Sequence, residues 1–177
     1  MNERAAAAID PPRTVVVEGA ASAFRQSVRV GRHSLVSDEP VAAGGGDEGP
    51  TPYDLLLAAL GTCTSMTLGV YARRKGWPLE SVRVRLSHAR VHAADCVDCE
   101  TQNAMIERVD REIELVGPLD AAQRSRLLEI ANRCPVHRSL EHGARISTRE
   151  VGEIGSLAGA ESAGQHVQDL DEDISGA

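Results

Sequence analysis

Two cysteines, Cys63 and Cys134, stand in helical settings with no close partner in sequence. Cys63 lies in the middle of a long apolar run that begins Pro52-Tyr-Asp-Leu-Leu-Leu-Ala-Ala-Leu-Gly-Thr-Cys63. Cys134 ends a second helical pattern, and Pro135 follows it at once in Arg133-Cys134-Pro-Val-His137. If the fold brings the two together they form a dithiol, and a dithiol can reduce an oxidant. The thiolate is the nucleophilic form, and an unperturbed thiol has a pKa of about 8.5. Burial among leucines and alanines pushes that value up. The dipole of its own helix gives Cys63 no help, because Cys63 lies several turns past the start. Activation therefore needs a nearby cation, and a lowering of two to three units corresponds to roughly 3–4 kcal/mol. A partly buried guanidinium can supply it through charge-assisted hydrogen bonds.

A second group of candidate residues is Cys96-Val-Asp-Cys99, preceded by His88 and His92. Cys-x-x-Cys with two histidines on one strand face suits a tetrahedral zinc site, although the spacing is compact for four ligands. A loop without metal and a redox-active Cys-x-x-Cys are the alternatives. A free cysteine in an apolar helix is usually a core residue, so the case for Cys63 depends on what surrounds it.

The elements that must position these residues follow from hydrophobic period and turn chemistry. Strand patterns at 14–18, 24–30 and 32–36, joined by Gly19–Ser22 and Gly31, predict a three-stranded antiparallel meander. A loop over 38–50 contains three consecutive glycines, Gly44–Gly46. Thr51 and Pro52 start a helix that runs to Lys75 and stops at Gly76, with Asp54 as a first-turn acid. From Leu55 to Leu60 this helix is apolar on every face, which predicts burial all round, within one subunit or between two. Residues 82–92 and 105–116 alternate as half-buried strands, with Ile113 and Leu115 on the core side. Asp120 and Gln123 form a capping box for a helix whose Leu127, Ile130, Ala131 and Cys134 share one face. Pro135 is expected to close it, with a final strand over 144–151. The order βββ-α-ββ-α-β lacks βαβ alternation, so the class is α+β.

The 177 residues suffice for one domain with a substantial core, and aromatics make up only 2% of them. The expected division is an arm over 1–12, a folded domain over 13–152 and a disordered acidic tail over 153–177. That tail holds Glu153, Glu161, Asp169, Asp171, Glu172 and Asp173 and no Lys or Arg. The net charge of -7 argues against nucleic acid as a partner. No long uninterrupted apolar run predicts a membrane span, and a cytoplasmic location is the expectation. Four cysteines are too few for a disulfide scaffold.

The run Gly49-Pro-Thr-Pro-Tyr-Asp-Leu-Leu-Leu-Ala-Ala-Leu-Gly-Thr-Cys63, with Cys134-Pro-Val-His137 later, resembles the OsmC/Ohr family, named for osmotically inducible protein C and organic hydroperoxide resistance protein. The resemblance covers roughly residues 14–151. It implies an intertwined α+β homodimer, with antiparallel sheets around the long buried helix and active sites at the subunit interface. It also implies a cysteine-based peroxidase, without a cofactor, acting on organic hydroperoxides. Cys63 would attack the peroxide and become a sulfenic acid, Cys134 would resolve it as a disulfide, and a dithiol reductant such as a lipoyl protein would restore both. The activating cation would be Arg25, with Arg32 as the alternative. Where the family's peroxidases hold that arginine with a glutamate, this sequence has Tyr53, with Asp54 one residue later. His137 is a candidate proton acceptor or cap for Cys134. The competing function is an OsmC-like stress or small-ligand-binding protein without peroxide turnover.

Overall fold

The computed structural model describes residues 14–92, 105–152 and 154, with the side chains of residues 91, 92 and 105 excepted. The expected arm, the tail apart from Ile154, and the Cys96–Cys99 pair lie outside the described residues. The chain divides into two compact units, one holding residues up to Pro52 and the stretch from Ile146, the other holding Tyr53–Arg145.

The first unit contains β1 (Val15–Gly19), β2 (Gln26–Val30) and β3 (His33–Ser37), an antiparallel sheet in sequence order. Val30 pairs with His33, so only Gly31 and Arg32 make the turn. Gly31 takes the positive φ of 56° that a tight two-residue hairpin requires. Val16 and Val28 are the buried residues of β1 and β2. Beyond β3, the glycine-rich loop is organised by Asp38, which is buried. Its carboxylate accepts from the backbone N–H of Glu39 at 2.9 Å, Gly46 at 2.9 Å and Glu48 at 3.3 Å. Burial opposes its charge, yet these three donors and the Arg25 guanidinium hold its pKa below the usual carboxylate range.

The second unit is built on α1 (Pro52–Lys75), which packs with β4 (Ser81–His92), β5 (Met105–Val116) and α2 (Ala121–Ala131). β4 and β5 are antiparallel, with Ser81 opposite Val116 and His92 opposite Met105. Alternation sorts their faces as expected. Val82, Ile113 and Leu115 pack on the core, while Arg83–Glu114 and Arg85–Glu112 form directly opposed ion pairs outside, at 2.7 and 3.0 Å. Exposed pairs of this kind contribute only tenths of a kcal/mol, up to about 1. The core joins Leu68, Tyr71 and Ala72 of α1 to Leu127, Ile130 and Ala131 of α2. Gly61 allows α1 its close approach to β4, since a Cβ there would sit 2.9 Å from Leu86 Cδ1.

α1 is long and apolar enough for a membrane span by length and composition, with a mean hydropathy of 1.6. Seven of its residues, from Leu60 to Ala72, are nevertheless buried in the protein. Within the single chain the helix is not buried all round, since Leu56, Ala58 and Ala59 are exposed, so of the two expected arrangements burial within one subunit is not met.

α2 starts as expected. The Asp120 carboxylate accepts from the Gln123 N–H at 2.7 Å, and the Gln123 side chain accepts from the Asp120 N–H at 3.1 Å. Asp120→Ala removes the first of these bonds and is expected to lower stability by about 1 kcal/mol, read as a shift in the denaturant midpoint. The chain after α2 departs from expectation. Pro135 does not simply end a helix. It opens α3 (Pro135–His142), with Cys134 as the N-cap. Proline at the first helical position lacks an N–H that would have no intrahelical partner anyway. The strand expected over 144–151 is not formed, and Ile146 within it is 90% exposed.

Candidate functional site

Cys63 and Cys134 come together. Both are free and buried, and they pack against each other in one cluster. They form one apolar cluster with Leu60, flanked by Leu86, Val109 and Val136. The approach has a local cause in each element. Cys63 falls on the buried face of α1 with Leu60, Thr64 and Thr67. Cys134 continues the buried α2 face of Leu127, Ile130 and Ala131 and is then turned inward as the cap of α3.

The start of α3 supplies what the dipole of α1 cannot. The His137 N–H donates to the Cys134 sulfur at 3.3 Å, and the neighbouring Val136 N–H favours charge on the Cys63 sulfur. Two donors at a helix N-terminus favour negative charge on sulfur. His137 therefore acts through its backbone, while its ring pairs with Glu141 at 3.3 Å.

Three further residues complete the site. The Thr64 hydroxyl donates to the Cys134 sulfur at 3.7 Å. The Thr67 hydroxyl donates to the Cys63 carbonyl at 2.8 Å. Arg111 on β5 donates to the Thr64 hydroxyl oxygen at 3.0 Å, to the Ala131 carbonyl at 3.2 Å and to Asn132 Oδ1 at 2.7 Å. Arg111 and Thr64 were not among the expected site residues. The signal for Arg111 was its place in the strand, since it falls in phase with the inward residues Val109, Ile113 and Leu115. An arginine on the buried face of a strand calls for a partner.

Packed together, the two sulfurs favour one negative charge between them over two. The Cys134 thiol is brought down to about 5, first by the neighbouring Cys63 thiol. Burial opposes this, and the His137 N–H, the Thr64 hydroxyl and the Arg111 charge reinforce it. The Cys63 thiol is pushed up, first by the same pairing with Cys134 and then by burial. Arg111 itself is lowered by burial, with the Cys134 charge acting in the opposite direction.

The other expected residues lie as follows. Arg25 belongs to the first unit, where its Nε meets Glu48 at 2.7 Å. An acid does hold this arginine, and it comes from the glycine-rich loop. Tyr53, in the position of the family's acid, stacks on His88 with ring centroids 4.2 Å apart. Asp54 lines a groove of about 420 Å³ between α1 and β4, with Leu57, Thr62, Ser65, Val84 and Leu86. Leu86 belongs both to this groove and to the apolar cluster around the sulfurs. His88 Nε2 is paired with Glu107. The His92 side chain, Cys96 and Cys99 fall outside the described residues, and among the described residues no group of His, Cys, Asp and Glu is placed to hold a metal.

Among curated proteins no match is found. The fold is similar to that of an OsmC-like protein from Mycoplasma pneumoniae, at a TM-score of 0.60 and 16% identity, covering 75% of this chain and 89% of that one. It is similar to the organic hydroperoxide resistance protein OsmC from Legionella pneumophila, at 0.56 and 17%, covering 73% and 88%. It is also similar to the organic hydroperoxide resistance protein OhrB of Bacillus subtilis, at 0.53 and 17%, covering 72% and 89%. At these identities the likeness concerns the fold. The profile of the OsmC-like protein family matches residues 44–149, a span that contains Cys63, Arg111 and Cys134. By that match over more than half of its length, the chain belongs to the OsmC family.

Proposed function

We propose that this protein is a cysteine-based peroxidase that reduces organic hydroperoxides. The observation that carries the reading is the buried pair Cys63–Cys134, packed together among apolar side chains with polar donors directed at the Cys134 sulfur. Sulfur of Cys63 attacks the distal peroxide oxygen, the O–O bond breaks, and the alcohol leaves. The resulting sulfenic acid on Cys63 is displaced by the Cys134 thiolate, which forms the disulfide and releases hydroxide. Two electrons have then passed from the dithiol to the peroxide, and a dithiol reductant of the lipoyl type returns them. The groove beside Leu86 suits the alkyl part of such a substrate, because Leu57, Val84 and Leu86 line it. The exposed apolar residues of α1, Leu56 and Met66 among them, suit a homodimer contact.

The test treats the reduced protein with one equivalent of cumene hydroperoxide and maps disulfides by mass spectrometry. A Cys63–Cys134 disulfide formed within seconds is the expected result. Free thiols that persist unchanged would exclude the peroxidase. They would favour the second reading, a small-ligand-binding OsmC-like protein, for which the same groove with its polar Asp54, Thr62 and Ser65 is the supporting feature.

A further inference from the structure

We propose that Arg111 is the positioning residue of the resolving step: its guanidinium staples the turn that carries Cys134 to the helix that carries Cys63. The step rests on the proposed peroxidase reading, whereas the staple is a feature of the reduced protein. Arg111 lies on β5 directly opposite Leu86 of β4, and Leu86 and Val109 both pack on the two cysteines. From that seat Nη1 donates to the Thr64 hydroxyl oxygen at 3.0 Å and to the Ala131 carbonyl at 3.2 Å. Nη2 donates to Asn132 Oδ1 at 2.7 Å. Thr64 follows Cys63 directly on α1, and its hydroxyl reaches the Cys134 sulfur. Ala131 and Asn132 close α2 just ahead of Cys134. One side chain therefore joins both cysteine-bearing segments, and none of these three acceptors is a sulfur.

The turn has need of this support. Its backbone bonds run from the Asn132 N–H to the Glu129 carbonyl at 3.2 Å, from Arg133 to Ile130 at 2.9 Å and from Cys134 to Ala131 at 3.4 Å. The last is long and therefore weak, and its acceptor is the same Ala131 carbonyl that Arg111 holds. Resolution is a substitution at sulfur. The electron pair of the Cys134 sulfur forms the S–S bond as the S–O bond of the Cys63 sulfenic acid breaks. The oxygen leaves as hydroxide, completed to water by the proton that Cys134 gives up. Such a displacement needs the attacking sulfur, the Cys63 sulfur and the leaving oxygen nearly in line. The new oxygen enters a cluster in which Cys63 is only 3% exposed, so it crowds its neighbours. A loose turn would yield at Cys134, and one stapled to α1 does not. A planar fork fixed by three acceptors holds direction as well as distance, a role that lysine fills only in part.

The test uses the full chain in two arms. In the first, the reduced protein is equilibrated with glutathione and glutathione disulfide, without peroxide, and the Cys63–Cys134 disulfide is quantified by mass spectrometry. Arg111→Gln should lower the equilibrium constant for disulfide formation about tenfold, which corresponds to about 30 mV, with Arg111→Lys intermediate. Asn132→Ala, at an exposed position, should lower it about threefold, and Asn132→Asp, which keeps an oxygen for the guanidinium, should restore it. In the second arm, stopped-flow mixing with cumene hydroperoxide separates formation of the Cys63 sulfenic acid from its conversion to the disulfide. Arg111→Gln should slow the conversion about tenfold more than the formation, and Cys63 sulfinic acid should accumulate under excess peroxide. An arginine that only supports the fold would lower the denaturant midpoint and leave the equilibrium constant and the ratio of the two rates unmoved. That result in both Asn132→Ala and Arg111→Gln, or in Asn132→Ala and Arg111→Lys should Arg111→Gln fail to fold, would overturn the inference. A disulfide that becomes more favoured in these variants would overturn it too. An equilibrium that shifts as expected in a protein that forms no sulfenic acid would count against the peroxidase reading and leave the staple established.

Discussion

Cys63→Ser is expected to lower organic hydroperoxide reduction by a thousandfold or more (on the order of what removal of an essential nucleophile does), measured as peroxide consumed in the presence of a dithiol reductant. Serine keeps the size of the side chain and a hydrogen-bond donor toward Cys134, so the cluster of Leu60, Leu86, Val109 and Val136 loses little packing. What it removes is the polarisable sulfur that would attack the peroxide. A hydroxyl is too weak an acid to be ionised there. The remaining cysteine does not substitute, because Cys134 is fully buried and tied to the Thr64 hydroxyl and the His137 N–H. Cys134→Ser separates the two roles: it should still consume about one equivalent of peroxide, slowly, and stop at the sulfenic acid. Turnover by Cys63→Ser at the rate of the unsubstituted protein would remove Cys63 from the mechanism.

The parts of this site that local pattern encodes were visible in the sequence. Period-2 alternation placed β4 and β5, and Asp120 with Gln123 marked the start of α2. The i, i+3, i+4, i+7 face carried Cys134 into the core with Leu127, Ile130 and Ala131. The parts that depend on tertiary pairing were not visible. Pro135 is compatible with the end of one helix or the beginning of another, and only the inward turn of the chain decides for the second. That choice converts Cys134 from a residue at the negative end of α2 into one at the positive end of α3. Arg111 announces itself only by its phase on β5, and the choice of Thr64 and Asn132 as its partners belongs to the packed structure. The segment 144–151 has the composition of a strand and pairs with none of the described strands, so composition misleads there.

The framework that brings the two sulfurs together should be as sensitive as the chemistry. Leu127→Ala is expected to destabilise the protein by about 3–5 kcal/mol, read as a lower denaturant midpoint at unchanged m-value. Leu127 has no exposed surface and shares a cluster with Leu68, Tyr71, Ala72, Leu119 and Ile130. Collapse of that cluster into the space left is restricted, because the Tyr71 hydroxyl oxygen accepts from Arg126 Nε at 3.2 Å and its ring meets Trp77 edge-on at 5.5 Å. The full cavity term therefore adds to the lost transfer free energy. A loss of that size consumes a large fraction of the roughly 5–15 kcal/mol available to a typical domain. Leu128→Ala is the internal control, since the next residue is 48% exposed and its truncation should change stability by no more than about 0.5 kcal/mol. Equal, small effects of the two substitutions would mean that α2 does not anchor the core. In that case the place of Cys134 beside Cys63 would rest on its bonds to the Thr64 hydroxyl and the His137 N–H and not on α2.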